Sequence, residues 1–247
     1  MMPDWAHDSA YAFTAPLEGG SETTHTVYVK GNGPPILILQ ELPGIGPETY
    51  ALADLLVAAG FAVYLPHLLG RLGKANRLTT LVNTARLLCI RREFALFLHG
   101  RQSPIAAWFR ALCADIQTRS GGHQIGVIGM CLTGGFAIPL MAEDAVAAAV
   151  ASQPALPIRP RDKLHMSQSD VAAASTAMAT KGPALAMRYE GDKIGSRQHM
   201  TALKHAFGAH LDVQEFPGTA HSLLTIDFNA AAYGHMQDYF KNRFRMS

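Results

Sequence analysis

Cysteine is scarce in this chain: its 247 residues include three, Cys89, Cys113 and Cys131. So few, so widely spaced, do not make a disulfide framework, and the odd number suits a reducing compartment where a thiol stays free. A charge excess of one sign is also missing. The 21 basic and 19 acidic residues are scattered and leave a net charge of +2. That balance argues against a nucleic-acid surface and against a polybasic membrane patch. No stretch offers some 18 apolar residues free of charges and helix breakers, so no membrane span is expected. The opening residues Met1-Met2-Pro3-Asp4-Trp5 include an acid and no apolar run, unlike a secretory leader. A soluble, cytoplasmic protein is the expectation. Two ligand signatures are absent as well. There is no Gly-x-Gly-x-x-Gly or Gly-Lys-Ser/Thr phosphate loop, and no close histidine pair such as His-Glu-x-x-His that would hold zinc.

What the chain has is apolar bulk. Hydrophobic residues make up 49% and charged residues 16%, enough to fill a large core and to exclude extensive disorder. The length suits one α/β domain over residues 1–247, with residues 1–25 as a loosely packed N-terminal extension. No repeat or linker divides it.

Strands alternate with helical segments, which predicts a mostly parallel sheet with helices on both faces. Strands are expected at Thr26–Lys30, Ile36–Gln40, Phe61–Leu65, Gln124–Ile128, Ala145–Ser152, Ala184–Tyr189 and Leu211–Phe216. The run Ile36-Leu37-Ile38-Leu39 is continuously apolar, as in a strand buried on both faces. Helices are expected from Pro47 to about Ala59, at Leu81–Leu98, Ile105–Thr118, Ser196–Phe207 and Asp227–Arg243. Residues 155–181 read as a loop with a small helix.

The richest segment is Gln124 to Gly135. An apolar strand runs into Gly129-Met130-Cys131-Leu132-Thr133-Gly134-Gly135, the pattern of a nucleophile elbow. There the central residue sits in a strained strand-to-helix turn, and its neighbours must be small. The free amides at the start of the helix favour a thiolate on Cys131. The alternative is a buried small cysteine in an ordinary turn. Pro139, eight residues on, predicts a short or kinked helix. Cys89 and Cys113 fall within helical patterns and read as packing.

A cysteine nucleophile needs a base, and the base an orienting acid. Asp192 follows the strand ending at Tyr189, and His221 follows the strand ending at Phe216. Both lie at carboxyl ends of parallel strands, where sites in such sheets form. Glu190 competes as the acid. His210, which begins a strand, and His235, inside a helix, compete as the base from poorer positions.

With these residues together, the chain resembles the dienelactone hydrolase family. The motifs are Gln40-Glu41-Leu42-Pro43-Gly44, the elbow around Cys131, Gly191-Asp192 and Ala220-His221-Ser222. The resemblance implies an α/β-hydrolase fold and hydrolysis of an ester or lactone through a Cys131–His221–Asp192 triad, with neither metal nor organic cofactor. It implies that Glu41 contacts the resting cysteine and moves on substrate binding so that the thiolate forms. The amides of Leu42 and Leu132 would make the oxyanion hole, at the positions this fold requires. Three residues depart from the family pattern: Thr133 for a glycine, His67 for an aspartate, and Thr225 for a substrate-binding arginine. The last leaves the substrate open. A broad carboxylesterase or thioesterase, and an inactive binding relative, use the same residues.

Arg91 completes the site expectations. At about 3.6 residues per turn, Leu87, Ile90, Phe94, Phe97 and Leu98 share a stripe, with Arg91 at its edge and Arg92 nearly opposite. A guanidinium beside a buried face needs an anionic partner. An internal Glu or Asp is one; a substrate carboxylate is the other, since the family places a substrate-binding arginine in this crossover. The expected partner is a small ester or lactone, with no nucleic acid or membrane, for a monomer or homodimer.

Overall fold

The computed structural model describes residues 5–42, 44–70, 72, 103–155, 164 and 166–246. The helix expected at Leu81–Leu98, with Cys89, Arg91 and Arg92, lies outside the described residues. Eight strands form one sheet: β1 (Ser9–Pro16), β2 (Glu22–Lys30), β3 (Pro35–Leu39), β4 (Ala62–Pro66), β5 (Ile125–Met130), β6 (Val146–Ser152), β7 (Ala184–Tyr189) and β8 (Leu211–Phe216). Their order is β1-β2-β4-β3-β5-β6-β7-β8. The first two pairings are antiparallel, and all from β4 to β8 are parallel.

Strand periodicity divides the core. Leu37 and Leu39 of β3 point to one face, Ile36 and Ile38 to the other, as alternation requires. Helices α1 (Pro47–Ala58) and α6 (Ala230–Phe244) cover the Ile36 face with Leu52, Leu56, Met236 and Phe240. Helices α2 (Ile105–Arg119), α4 (Gln168–Lys181) and α5 (Arg197–Phe207) cover the Leu37 face with Trp108, Met178 and Met200. Between β5 and β6, α3 (Gly134–Ala137) is four residues long and passes at Pro139 into a 3-10 turn, Pro139–Ala142. This is the interruption expected where proline removes a donor.

Two expectations are corrected. Residues 9–16 are an edge strand of the sheet and not a loose extension. Tyr11, Phe13 and Ala15, two apart, turn toward the core, and Phe13 meets the buried Trp108 edge-on at 5.3 Å. The Trp108 indole donates to the Thr23 carbonyl at 3.2 Å, which ties the hairpin to α2. Helix α4 has fourteen residues and is no small helix. Its capping box starts it firmly: Ser167 Oγ accepts the Asp170 amide at 3.1 Å, and the Asp170 carboxylate accepts the Ser167 amide at 3.1 Å.

The turn into β3 depends on Gly33. Its φ is +120°, and a Cβ there would lie 2.1 Å from the Gly60 carbonyl oxygen. Gly19 also has positive φ, +99°, but open space around it. Gly33→Ala is therefore expected to cost about 3 kcal/mol in urea unfolding against about 1 kcal/mol for Gly19→Ala. Equal costs would mean that the Gly33–Gly60 contact relaxes freely.

Candidate active site

Parallel pairing sets Leu39 of β3 beside Gly129 of β5, so the segments leaving both strands emerge together at one sheet edge. The chain passes from β3 to β4 on one side and returns to β5 on the other, so a crevice opens between them. Glu41 leaves β3 into this crevice and Cys131 leaves β5.

Cys131 is half-buried with φ +52°, the left-handed conformation that a nucleophile elbow imposes on its central residue. The turn is tight on both sides. A Cβ on Gly129 would meet the Thr133 carbonyl oxygen at 2.4 Å, and one on Gly134 would meet Pro154 Cα at 2.9 Å. Gly135 has open space instead. Thr133, where the family pattern has glycine, serves as a brace. Its hydroxyl accepts the Met130 amide at 2.9 Å and reaches the Leu39 carbonyl at 2.9 Å, which ties the elbow to β3. Leu132 lies in the first turn after the strand, where backbone amides lack intrahelical acceptors. Leu42 lies directly after Glu41.

His221 and Asp192 meet as a pair. His221 Nδ1 is 2.7 Å from Asp192 Oδ2, and since a carboxylate only accepts, Nδ1 carries the proton. Asp192 Oδ1 accepts the amides of Ile194 at 2.7 Å and Gly195 at 3.1 Å. Burial opposes charge on Asp192, yet His221 and these two amides hold its carboxyl below the ordinary range. Burial also opposes the imidazolium. The Asp192 carboxylate and the Cys131 thiol outweigh it and push His221 up to about 10. The far ring nitrogen, Nε2, is buried, and the Cys131 side chain is among the groups that interact with the ring. Asp227 fixes the backbone of this loop by accepting the His221 and Ser222 amides at 3.2 and 3.0 Å.

Glu41 is 3% exposed. Its Oε2 accepts from Ser222 Oγ at 3.1 Å and Gln153 Nε2 at 3.2 Å, and its Oε1 accepts from the Thr225 hydroxyl. Burial pushes its carboxyl up; Thr225, Ser222, His221 and Gln153 oppose this without cancelling it. Gln40 pins the same loop: its amide donates to the Leu69 carbonyl and accepts the Leu68 amide, both at 2.8 Å.

Cys131, His221, Asp192 and Glu41 thus gather at one edge, with Leu42 and Leu132 beside them in sequence. Arg91 lies outside the described residues. The rival bases sit elsewhere. His210 precedes β8, at the amino end of that strand, and His235 on α6 is half-buried beside Asp212. Glu190 is exposed. Gln153 was not singled out in the sequence, and Ser222 and Thr225 stood out there only as part of the base motif and as a departure from the family pattern; their bonds to Glu41 arise where loops after β6 and β8 converge on it. Among the described residues, no cluster of three His, Cys, Asp or Glu side chains could hold a metal, and no helix is long and apolar enough to cross a membrane.

The sheet order and the left-handed elbow define an α/β-hydrolase fold. A model of the dienelactone hydrolase family matches residues 23–240, and the chain belongs to that family. Comparison with curated protein sequences gives no match. Among solved structures, the chain is similar to a suspected dienelactone hydrolase from Klebsiella pneumoniae, with 15% identity, TM-score 0.62, and 97% of this chain and 100% of that one covered. A Pyrococcus furiosus esterase matches with 12% identity and TM-score 0.62, over 95% and 92% of the two chains. A thermostable carboxyl esterase from Bacillus coagulans has 9% identity and TM-score 0.63, over 96% and 99%. At such identities the likeness is one of fold.

The His221–Asp192 pair makes folding depend on pH. A histidine raised in the folded state adds stability that is full below its ordinary value of 6.5 and fades as pH climbs toward about 10. The Asp192 share is present above its ordinary 3.8 and disappears as pH falls through the lowered value. Over the alkaline interval, the wild type is expected to lose its stability advantage over His221→Gln, as read from urea midpoints at a series of pH values. A constant difference would show that the folded ring is uncharged.

Proposed function

We propose that this chain hydrolyses an ester or lactone through an acyl-thioester on Cys131, with His221 as proton carrier and Asp192 as its orienting acid. The observation that carries this reading is the left-handed Cys131 at φ +52° beside a histidine whose Nδ1 is 2.7 Å from a buried carboxylate. Family membership supports ester hydrolysis as the general activity.

In the proposed reaction the Cys131 sulfur attacks the ester carbonyl carbon as a thiolate, with its proton held on the charged His221 ring. The carbonyl oxygen becomes an oxyanion received by the amides of Leu132 and Leu42. As the carbonyl re-forms, the C–O bond breaks and His221 protonates the departing alkoxide. In a lactone that hydroxyl stays within the acyl group. Water then gives its proton to His221 and attacks the thioester, and the carboxylic acid leaves as the C–S bond breaks, which restores the thiolate beside the protonated ring. Asp192 holds the imidazole in one tautomer and stabilises its cation throughout.

Cys131→Ala is expected to abolish turnover, and intact-mass spectra of quenched wild type to show an acyl adduct on Cys131. Wild-type turnover by the variant on every hydrolysed ester would refute the nucleophile.

Glu41 is proposed to govern the charge state of the thiol. Its carboxyl is bonded to Ser222, next to His221, and to Gln153 in the loop after β6. Replacing Glu41 with Gln is expected to change the pH dependence of Cys131 alkylation while melting stays within a few degrees of wild type. A large drop in melting temperature with unaltered alkylation would make Glu41 a structural residue.

A further inference from the structure

Strand β7 reads Ala184-Leu185-Ala186-Met187-Arg188-Tyr189, and every residue in it is buried. A charge in such a strand is an anomaly. The Arg188 side chain is 1% exposed, and an unpaired guanidinium there would be strongly destabilising. Each of its three nitrogens is occupied. Nε donates to the Gly195 carbonyl at 2.7 Å, and one terminal nitrogen donates to the carbonyls of Glu190 and Asp192, both at 2.9 Å. The other terminal nitrogen donates to Glu215, its register partner on β8.

Three of these four acceptors are backbone carbonyls of one loop, residues 190–195, and that loop carries Asp192. The loop folds round the guanidinium, with its carbonyls turned inward to one cation. On the inner side of the same turn the Ile194 and Gly195 amides hold Asp192 Oδ1, which leaves Oδ2 for His221. There is no slack in this packing: a Cβ on Gly195 would lie 2.7 Å from Asp192 Oδ2.

We propose that Arg188 is a positioning residue, which sets the place of Asp192 and through it the orientation of His221. The inference rests on the triad reading above. Without the guanidinium, three carbonyls face one another with no donor between them, and the loop opens. Lysine cannot substitute, because its three donors radiate from one point and cannot span carbonyls spread along a planar fork. A role limited to neutralising Glu215 fits poorly: the Glu215 side chain is a third exposed and can be solvated, whereas Arg188 is sealed.

The test uses Arg188→Met and Arg188→Lys, with Asp192→Asn as reference. Turnover of a neutral p-nitrophenyl ester and the pH profile of Cys131 alkylation by iodoacetamide are measured on each folded protein. Both Arg188 variants are expected to lose about a hundredfold in kcat, the scale of a small misplacement of a catalytic group. KM should be little changed, and the alkylation profile should move in the same direction as in Asp192→Asn. If Arg188→Met fails to fold, Arg188→Lys, which keeps the charge and most of the stem, carries the test. Wild-type kcat and profile in the Arg188 variants, with both altered in Asp192→Asn, would overturn the positioning role and leave the triad intact. If Asp192→Asn alters neither, the triad reading fails and the Arg188 role fails with it.

Discussion

The parallel pairing of β3 with β5 is the constraint from which the site follows. Leu39 opposite Gly129 sets the register, and a shift of one residue would turn Ile36 and Ile38 away from their face of the core. Because those residues are fully buried, the register is fixed by hydrophobic burial, at about 1.5–3 kcal/mol for each side chain of this size. The loops that follow the two strands then leave from neighbouring points. Thr133 bridges them through its hydroxyl. The placing of Glu41 relative to Cys131 is thus a property of the sheet, decided by apolar residues that touch no substrate.

The site itself is held by polar groups that the sheet buries. Glu41, Gln153, Asp192, Thr133 and Arg188 are all buried, and each is hydrogen-bonded, as buried polar groups must be if the fold is to survive their desolvation. Backbone strain gathers in the same place. Among the described residues, the non-glycine positive-φ positions are Cys131, Gln153 and Arg245; the first two belong to the site, and the third caps α6. Strain of this kind costs about 1–3 kcal/mol per residue and persists where surrounding structure overdetermines it. Gln153 shows how: its amide donates to the Met187 carbonyl at 2.6 Å and its side chain to Glu41.

Much of this was legible in the chain. β7 and β8 end where the sequence predicts, at Tyr189 and Phe216, and the elbow was visible as a reactive residue among small ones. Other features had a signal that went unread. Tyr11, Phe13 and Ala15 alternate as an edge strand should, but the strand is short of β-branched residues. Ser167-x-x-Asp170 is a capping box. Arg188 stands as a single charge in an apolar strand. The partners of Glu41 had no such signal. Thr225, Ser222 and Gln153 converge on it from loops more than a hundred residues away from it in sequence. Nothing local in those loops distinguishes a hydroxyl aimed at a carboxylate from one aimed at water.

The glycines of the elbow differ in what they owe to physics. Gly129 and Gly134 are hemmed in by backbone, so any side chain there must push the turn apart. Gly135 faces open space, and a Cβ there meets nothing within 4 Å. Chains descended from a common ancestor can therefore drift at 135 while remaining locked at 129 and 134. A pattern that demands glycine at all three will miss relatives that keep the same turn.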